Sequence, residues 1–257
     1  MISIRSMLNK NILKEIKDKK NIALSFSGGT DSLCILFACL KLGIKPTLYT
    51  YKIKNIFSKD HDIAQAVAKD YNLNLVVGEI LDDDISLLND VKKMIKDGIK
   101  GKVSIQCMHG HYYIAPLVKE KQILNGSGID GIYGVYKDIA IVGRNDKKKF
   151  DDKRNKHLAN PNDDAMIYQT ELYKKLGIKV IYPYRKNNIL NYLMTLPYKK
   201  INSPKLKQII LNEFPEVKPY WRPRGSQQII AGTRSLHEKL KNLYKIKRVD
   251  EIYKCII

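Results

Sequence analysis

Residues Ser27-Gly28-Gly29-Thr30-Asp31-Ser32 place two glycines, three hydroxyls and one carboxylate between a short apolar run, Asn21 to Phe26, and an apolar helical stretch, Leu33 to Leu42. At such a strand-to-helix junction the backbone N–H groups of the loop and first helical turn point outward. They form an anion-binding nest that the positive end of the helix dipole reinforces. Gly28 and Gly29 permit a tight turn and the close approach of phosphate oxygens. Ser27, Thr30 and Ser32 can add hydroxyl donors, and Ser25, just upstream, joins them in the candidate nucleotide-binding set. Asp31 is out of place in a nest for anions unless it holds a magnesium ion that bridges the phosphates. ATP is therefore the expected ligand, with Mg2+ as its companion. The loop is not a Walker A sequence, G-x-x-x-x-G-K-[ST], and no G-x-G-x-x-G follows the first strand.

The elements around this loop alternate. Leu8, Ile12, Leu13 and Ile16 have helical spacing, Asn21 to Phe26 is the first predicted strand, and Gly43 caps the helix that follows the loop. Pro46 to Lys52 reads as a strand, His61 to Tyr71 as an amphipathic helix, and Asn74 to Val77 as a third strand. Ile85 to Lys96 and His111 to Lys119 read as helices, and Lys121 to Asn125 as a fourth strand that ends in Gly126-Ser127-Gly128-Ile129-Asp130-Gly131. Strands alternating with helices predict an α/β fold, a Rossmann-like parallel sheet with helices on both faces. Lys137 to His157 is highly charged and poor in apolar residues, which predicts a mobile loop or linker. Beyond it, Asp163 to Leu176, Ile189 to Leu196, Pro204 to Phe214 and Ser235 to Leu243 have helical patterns. The expected division is an α/β nucleotide-binding core over residues 1–145 and a mainly helical portion over 146–257 that completes the site.

The chain has 257 residues, 44% of them hydrophobic, enough for a core of ordinary size. No apolar run reaches the roughly 18 residues of a membrane-spanning helix, and Met1 to Lys20 lacks the apolar stretch of a secretory signal. A cytoplasmic location without membrane contact is expected. Cys34, Cys39, Cys107 and Cys255 form no C-x-x-C pair and read as reduced thiols. Cys107, His109 and His111 cluster, but no second Cys or His pair lies at finger spacing, so a zinc site is not expected. The formal charge of +20 favours phosphate-rich partners and makes nucleic acid a possible one, although the lysines are scattered along the whole chain.

Ser27-Gly28-Gly29-Thr30-Asp31-Ser32 resembles the SGGxDS loop of the PP-loop ATP pyrophosphatases, and the likeness extends towards the synthetase domain of asparagine synthetase. Leu124 to Tyr136 is similar to that family's L-S-G-E-G-A-D-E-x-x-G-G-Y segment in length, at the glycines, at Asp130 and at the last Tyr. Gly177 to Tyr184 resembles its G-V-x-x-R-x-P-F-L-D region. Trp221-Arg222-Pro223-Arg224, with Gln228 and Gly232, resembles its R-P-K-x-x-x-Q-x-G-S-G segment. The resemblance spans roughly residues 20 to 235.

It implies that Asp31 and Asp130 hold magnesium and that Gly126 lets the backbone approach the nucleotide. It gives Arg224 the place of a lysine that neutralises departing pyrophosphate, and Lys156 a place as a second phosphate-binding cation. The implied activity is ATP-dependent adenylation of a carboxylate or carbonyl substrate, followed by attack of ammonia or an amine. The chain departs from the family at Ser127 and Gly131, where glutamates are usual, and at Pro183-Tyr184-Arg185-Lys186, where the Asp is replaced by a basic residue. These departures put aspartate in doubt as the acceptor and leave a nucleobase- or tRNA-modifying enzyme, or a non-catalytic nucleotide-binding module, as the alternatives.

Overall fold

The computed structural model describes residues 3–159, 165–221, 232–233, 237–239 and 241. It is an α/β fold built on five parallel strands: β1 (Ala23–Ser25), β2 (Thr47–Ile53), β3 (Leu75–Ile80), β4 (Gln122–Leu124) and β5 (Lys179–Ile181). Their order across the sheet is β3-β2-β1-β4-β5. The chain therefore winds outward from β1 to β3 and then returns to the other side of β1, so the direction of winding reverses between β1 and β4. Ligands of open parallel sheets bind at such a switch point, outside the carboxyl ends of the strands.

The register explains how so short a sheet is held. Leu24 stands level with Leu48 on one side and Leu124 on the other, and Leu124 with Ile181. All four point into one apolar cluster. Their neighbours Ala23, Ile123 and Val180 point to the opposite face, where a second cluster forms with Tyr49 and Tyr51. This is the two-residue alternation of a sheet buried on both faces. The first face is covered by α1 (Ile4–Glu15), α2 (Thr30–Lys41) and α3 (Lys59–Asp70), and the second by α4 (Asp84–Lys96), α5 (Lys102–Ile114) and α9 (Met166–Lys175). α2 is the most deeply placed, with every residue from Ser32 to Cys39 buried. It stops as expected at Gly43 (φ +72°). There Ile44 N–H donates to the Cys39 carbonyl and Gly43 N–H to that of Leu40, the paired bonds of a Schellman motif.

One expectation is overturned. Lys137 to His157 is not a loop: it forms α7 (Lys137–Gly143) and α8 (Lys147–Ala159). α8 docks through Phe150 and Arg154, both fully buried. The Arg154 guanidinium lies over the Phe150 ring, 3.9 Å from its centre, and donates to the carbonyls of Leu193 (2.8 Å), Met194 (3.2 Å) and Leu196 (3.3 Å) and to Asp151 (2.5 Å). It thereby closes the C-terminal end of α10 (Asn187–Thr195), whose last carbonyls have no partner within their own helix.

The part of the chain beyond residue 145 also contributes to the sheet. β5 pairs with β4, its Val180 standing level with Ile123, and α10, α11 (Tyr198–Asn202) and α12 (Gln208–Glu213) share the core of the first face. The expected helix Pro204 to Phe214 is shorter: α12 begins only at Gln208, after Lys207 in the left-handed backbone region. The expected helix Ser235 to Leu243 falls largely outside the described residues. Among the described residues no helix is long and apolar enough to cross a membrane.

Candidate functional site

The loops that leave β1 and β4 meet at the switch point. The first is wrapped tightly onto its own helix. Gly29 N–H donates to Ser27 Oγ (3.3 Å), and the Ser32 hydroxyl donates to the Gly29 carbonyl (3.0 Å), which also accepts Leu33 N–H (3.0 Å). The N–H groups of Thr30, Asp31 and Ser32 then have no partner within α2 and face outward along its axis, as the first turn of any helix requires. Gly28 takes φ +67°, and a Cβ there would stand 2.8 Å from Ile63 Cγ2 and 3.2 Å from the Asp60 carbonyl. The loop can pass under the start of α3 only as glycine. Gly28→Ala is expected to cost about 2 kcal/mol or more, from the left-handed backbone and the clash together. Urea unfolding of the purified variant measures it.

The second loop is pressed against the first. A Cβ on Gly126 would stand 3.2 Å from Asp31 Cβ and 3.3 Å from Ser32 N. Asn125, buried at the end of β4, accepts Ser127 N–H (2.8 Å) and shapes the turn. Asp130 opens the short helix α6 (Asp130–Tyr133), whose Gly131 lies against the ring of His157 from α8. From the 3-10 turn Pro183–Arg185 that follows β5, the Tyr184 hydroxyl donates to the Asp31 carbonyl (3.4 Å) and Arg185 to the Gly128 carbonyl (3.1 Å). Lys186, which stands where the resembled family has an Asp, turns away to pair with Glu15 of α1 at 2.7 Å.

Asp31 and Asp130 converge on a third residue that the sequence reading missed. The Lys207 ammonium lies 2.5 Å from Asp31 Oδ2 and 2.5 Å from Asp130 Oδ1. Lys207 caps α12 in the left-handed backbone region (φ +58°), which is uncommon for a residue with a side chain. Asn202 holds it there: its Oδ1 accepts Lys207 N–H (2.9 Å), and its Nδ2 donates to the carbonyl of Tyr133 (2.6 Å), the last residue of α6. The helix that carries Asp130 thus positions the lysine that reaches Asp130. No sequence signal marks Lys207 among 46 basic residues.

The electrostatics follow from counting charges. One ammonium faces two carboxylates, so the cluster keeps a net negative charge. Burial pushes the Asp31 carboxyl up to about 6; Lys207 opposes that rise and Asp130 adds to it. Burial also works against the charge on Lys207, but the two carboxylates outweigh it and hold the ammonium above the usual lysine range. Asp31 Oδ1 is buried without a hydrogen-bond partner among the described residues.

Two convergent carboxylates with a spare oxygen are a hard donor set suited to magnesium, which needs few protein ligands when phosphate and water complete its shell. Among the described residues no group of three or more His, Cys, Asp or Glu side chains is placed to hold a metal by itself.

The remaining sequence candidates separate. Ser25, Ser27, Gly28, Gly29, Thr30, Asp31, Ser32, Gly126 and Asp130 lie on the two apposed loops or the strand end that feeds them. Lys156 is exposed on α8, one residue before His157. Arg224 lies outside the described residues, as does Gln228. His109 and His111, two apart on α5, point to different partners. His109 meets Asp90 (2.9 Å) and His237 (3.0 Å), whereas His111 meets Gln169 and Tyr173.

His111 belongs to a buried chain that braces the second loop. Gln169 Oε1 accepts from Asn125 (3.2 Å) and from the Tyr182 hydroxyl (3.3 Å), so its NH2 group faces His111 Nε2 (3.1 Å). That nitrogen must be unprotonated, and the proton on Nδ1 goes to Tyr173 (3.2 Å). Full burial lowers the His111 pKa to about 4. The folded state then binds its proton less readily than the unfolded chain, so stability is complete above about pH 6.5 and falls as the pH drops towards 4. Between pH 7 and pH 5 this one residue is expected to remove about 2 kcal/mol. His111→Gln should show a correspondingly shallower acid loss in urea unfolding.

Fold and site together define an α/β protein with a parallel sheet, an outward-facing helix N-terminus and a carboxylate pair at the switch point of that sheet. No protein-family model matches the chain, and no curated protein matches it at a significant level.

Proposed function

We propose that the chain binds ATP with its polyphosphate on the Ser27–Ser32 loop and transfers the adenylyl group to an acceptor, releasing pyrophosphate. The observation that carries this reading is the meeting of Asp31 and Asp130, from two separate loops, beside the N-terminus of α2. A phosphate-binding nest alone fits many anions. A nest with a carboxylate pair at its rim, Asp31 largely buried and Asp130 half-exposed, repels a polyphosphate unless a divalent cation joins them. The resemblance to PP-loop pyrophosphatases points the same way and supplies the bond that breaks, between the α and β phosphates.

Asp31 and Asp130 would hold Mg2+, which when bound offsets the charge of the pyrophosphate that leaves. The N–H groups of Thr30, Asp31 and Ser32 bind the phosphate oxygens, and the hydroxyls of Ser27 and Ser32 orient them. Gly126 keeps the second loop flat enough for nucleotide to lie against the first. An acceptor oxygen attacks the α-phosphorus, and the electron pair of the broken P–O bond leaves with pyrophosphate. Ammonia or an amine then displaces AMP from the activated acceptor. The resemblance assigns Arg224, and less directly Lys156, to the developing negative charge. Arg224 can neutralise it but cannot give up a proton, since a guanidinium stays protonated.

A carboxylate is the first acceptor class. RNA is the second, favoured by an open cleft of about 580 Å³ lined by Arg144, Lys147, Lys199 and Lys200. α11, which carries the last two, also carries Asn202, the brace of Lys207. The test is pyrophosphate release from Mg–ATP with carboxylate and amine pairs or with bulk tRNA. Stimulation by either class identifies the acceptor. Tight ATP binding without turnover under any condition would make the chain a nucleotide-binding module instead.

A further inference from the structure

We infer that Lys207 is a built-in counter-cation that keeps divalent metal off the Asp31–Asp130 pair until a polyphosphate arrives. The inference rests on the magnesium–ATP reading of the site and concerns the order in which its ligands enter. The ammonium lies 2.5 Å from one oxygen of each carboxylate. Magnesium bridging both carboxylates would need one oxygen of each at about 2.1 Å from its own centre, in the gap between them that the ammonium fills. The two cations therefore compete for one place.

Lys207 is well held in that place. Its side chain is only 13% exposed and lies over the Tyr133 ring, 5.4 Å away, and Asn202 fixes its backbone in the left-handed region. A strained backbone that persists because its surroundings hold it is a sign of a position kept for use. To admit a metal the ammonium must leave two carboxylates, and a largely buried cation leaves only for another anion. The outward N–H groups of α2 place an incoming polyphosphate within the same site, so the nucleotide that brings the metal also brings the replacement partner. Metal and nucleotide binding are then positively coupled, each promoting the other.

The test is titration of nucleotide-free protein with Mn2+, following the free ion by electron paramagnetic resonance. Wild type is expected to bind no ion tighter than ~1 mM. Lys207→Gln and Lys207→Met should each bind one ion at least about tenfold tighter, and Asp31→Asn combined with Lys207→Gln should return to weak binding. Tight binding of one Mn2+ by wild type without nucleotide would overturn the inference, and that titration needs no variant to fold. Equal affinity of wild type and folded Lys207 variants would overturn it as well. If wild type forms AMP and pyrophosphate while the variants bind metal no tighter, metal exclusion is wrong and the ATP reading stands. Tightened metal binding by the variants, with no ATP turnover by wild type, leaves metal exclusion standing and removes the ATP reading.

Discussion

Asp31→Asn and Asp130→Asn should each reduce AMP formation from Mg–ATP by at least about a thousandfold, because each removes a carboxylate that would hold the Mg2+ balancing the polyphosphate charge. Asn keeps the shape of the side chain, so the loss reports charge rather than packing. The stability result separates this role from a structural one. The Asp31 carboxyl, pushed up to about 6 by burial, binds its proton more tightly folded than unfolded. Ionising it at pH 7 therefore costs the folded state stability, a cost that disappears as the pH falls below about 4. Asp31→Asn removes that cost, while Lys207 keeps Asp130 as its partner. The variant should unfold in urea at pH 7 no earlier than wild type. Inactivity without destabilisation is the pattern of a residue held for function. A variant that is inactive and also unstable would place Asp31 in the architecture instead.

The second large effect is on stability. Arg154→Ala should destabilise the protein by about 3–4 kcal/mol in urea unfolding, since the guanidinium is fully buried and four of its hydrogen bonds go to Leu193, Met194, Leu196 and Asp151. Removing it takes the donor from the Met194 and Leu196 carbonyls, leaves that of Leu193 with only the Leu196 N–H, and opens a void beside Phe150. Lys at this position should recover less than half of the loss, because one ammonium cannot reach acceptors spread around a planar fork. Loss of less than about 1 kcal/mol in the alanine variant would mean that water replaces the cap.

Arg154 also shows where sequence reading fails. The strands β1, β2 and β4 and the helix α2 were legible, because apolar runs alternate with turn residues and the glycines sit where the backbone turns. The two loops that carry Asp31 and Asp130 were legible for the same reason. α8 was not, because its pattern of lysines and aspartates resembles a solvated linker, and its docking residue is an arginine that counts as polar in any periodicity. β5 was missed because only Ile181 of Lys179–Ile181 is buried, whereas β1 and β4, no longer, lie in runs of mostly buried residues. Its place is set by pairing with β4, a long-range fact absent from local pattern. Lys207 was missed for a third reason: its backbone conformation and its partners come from α6, α11 and the two loops together. A residue defined by convergence has no local signature.

Most direct is the identity of the bond that breaks in ATP. Purified protein, Mg2+ and ATP labelled at the α-phosphate, incubated with the acceptor panel and resolved by chromatography, should yield labelled AMP and an equal amount of pyrophosphate. The yield should depend on acceptor and vanish in Asp31→Asn and Asp130→Asn. Labelled ADP with inorganic phosphate would contradict the assignment, since it would mean cleavage at the γ-phosphate and a different role for the paired carboxylates.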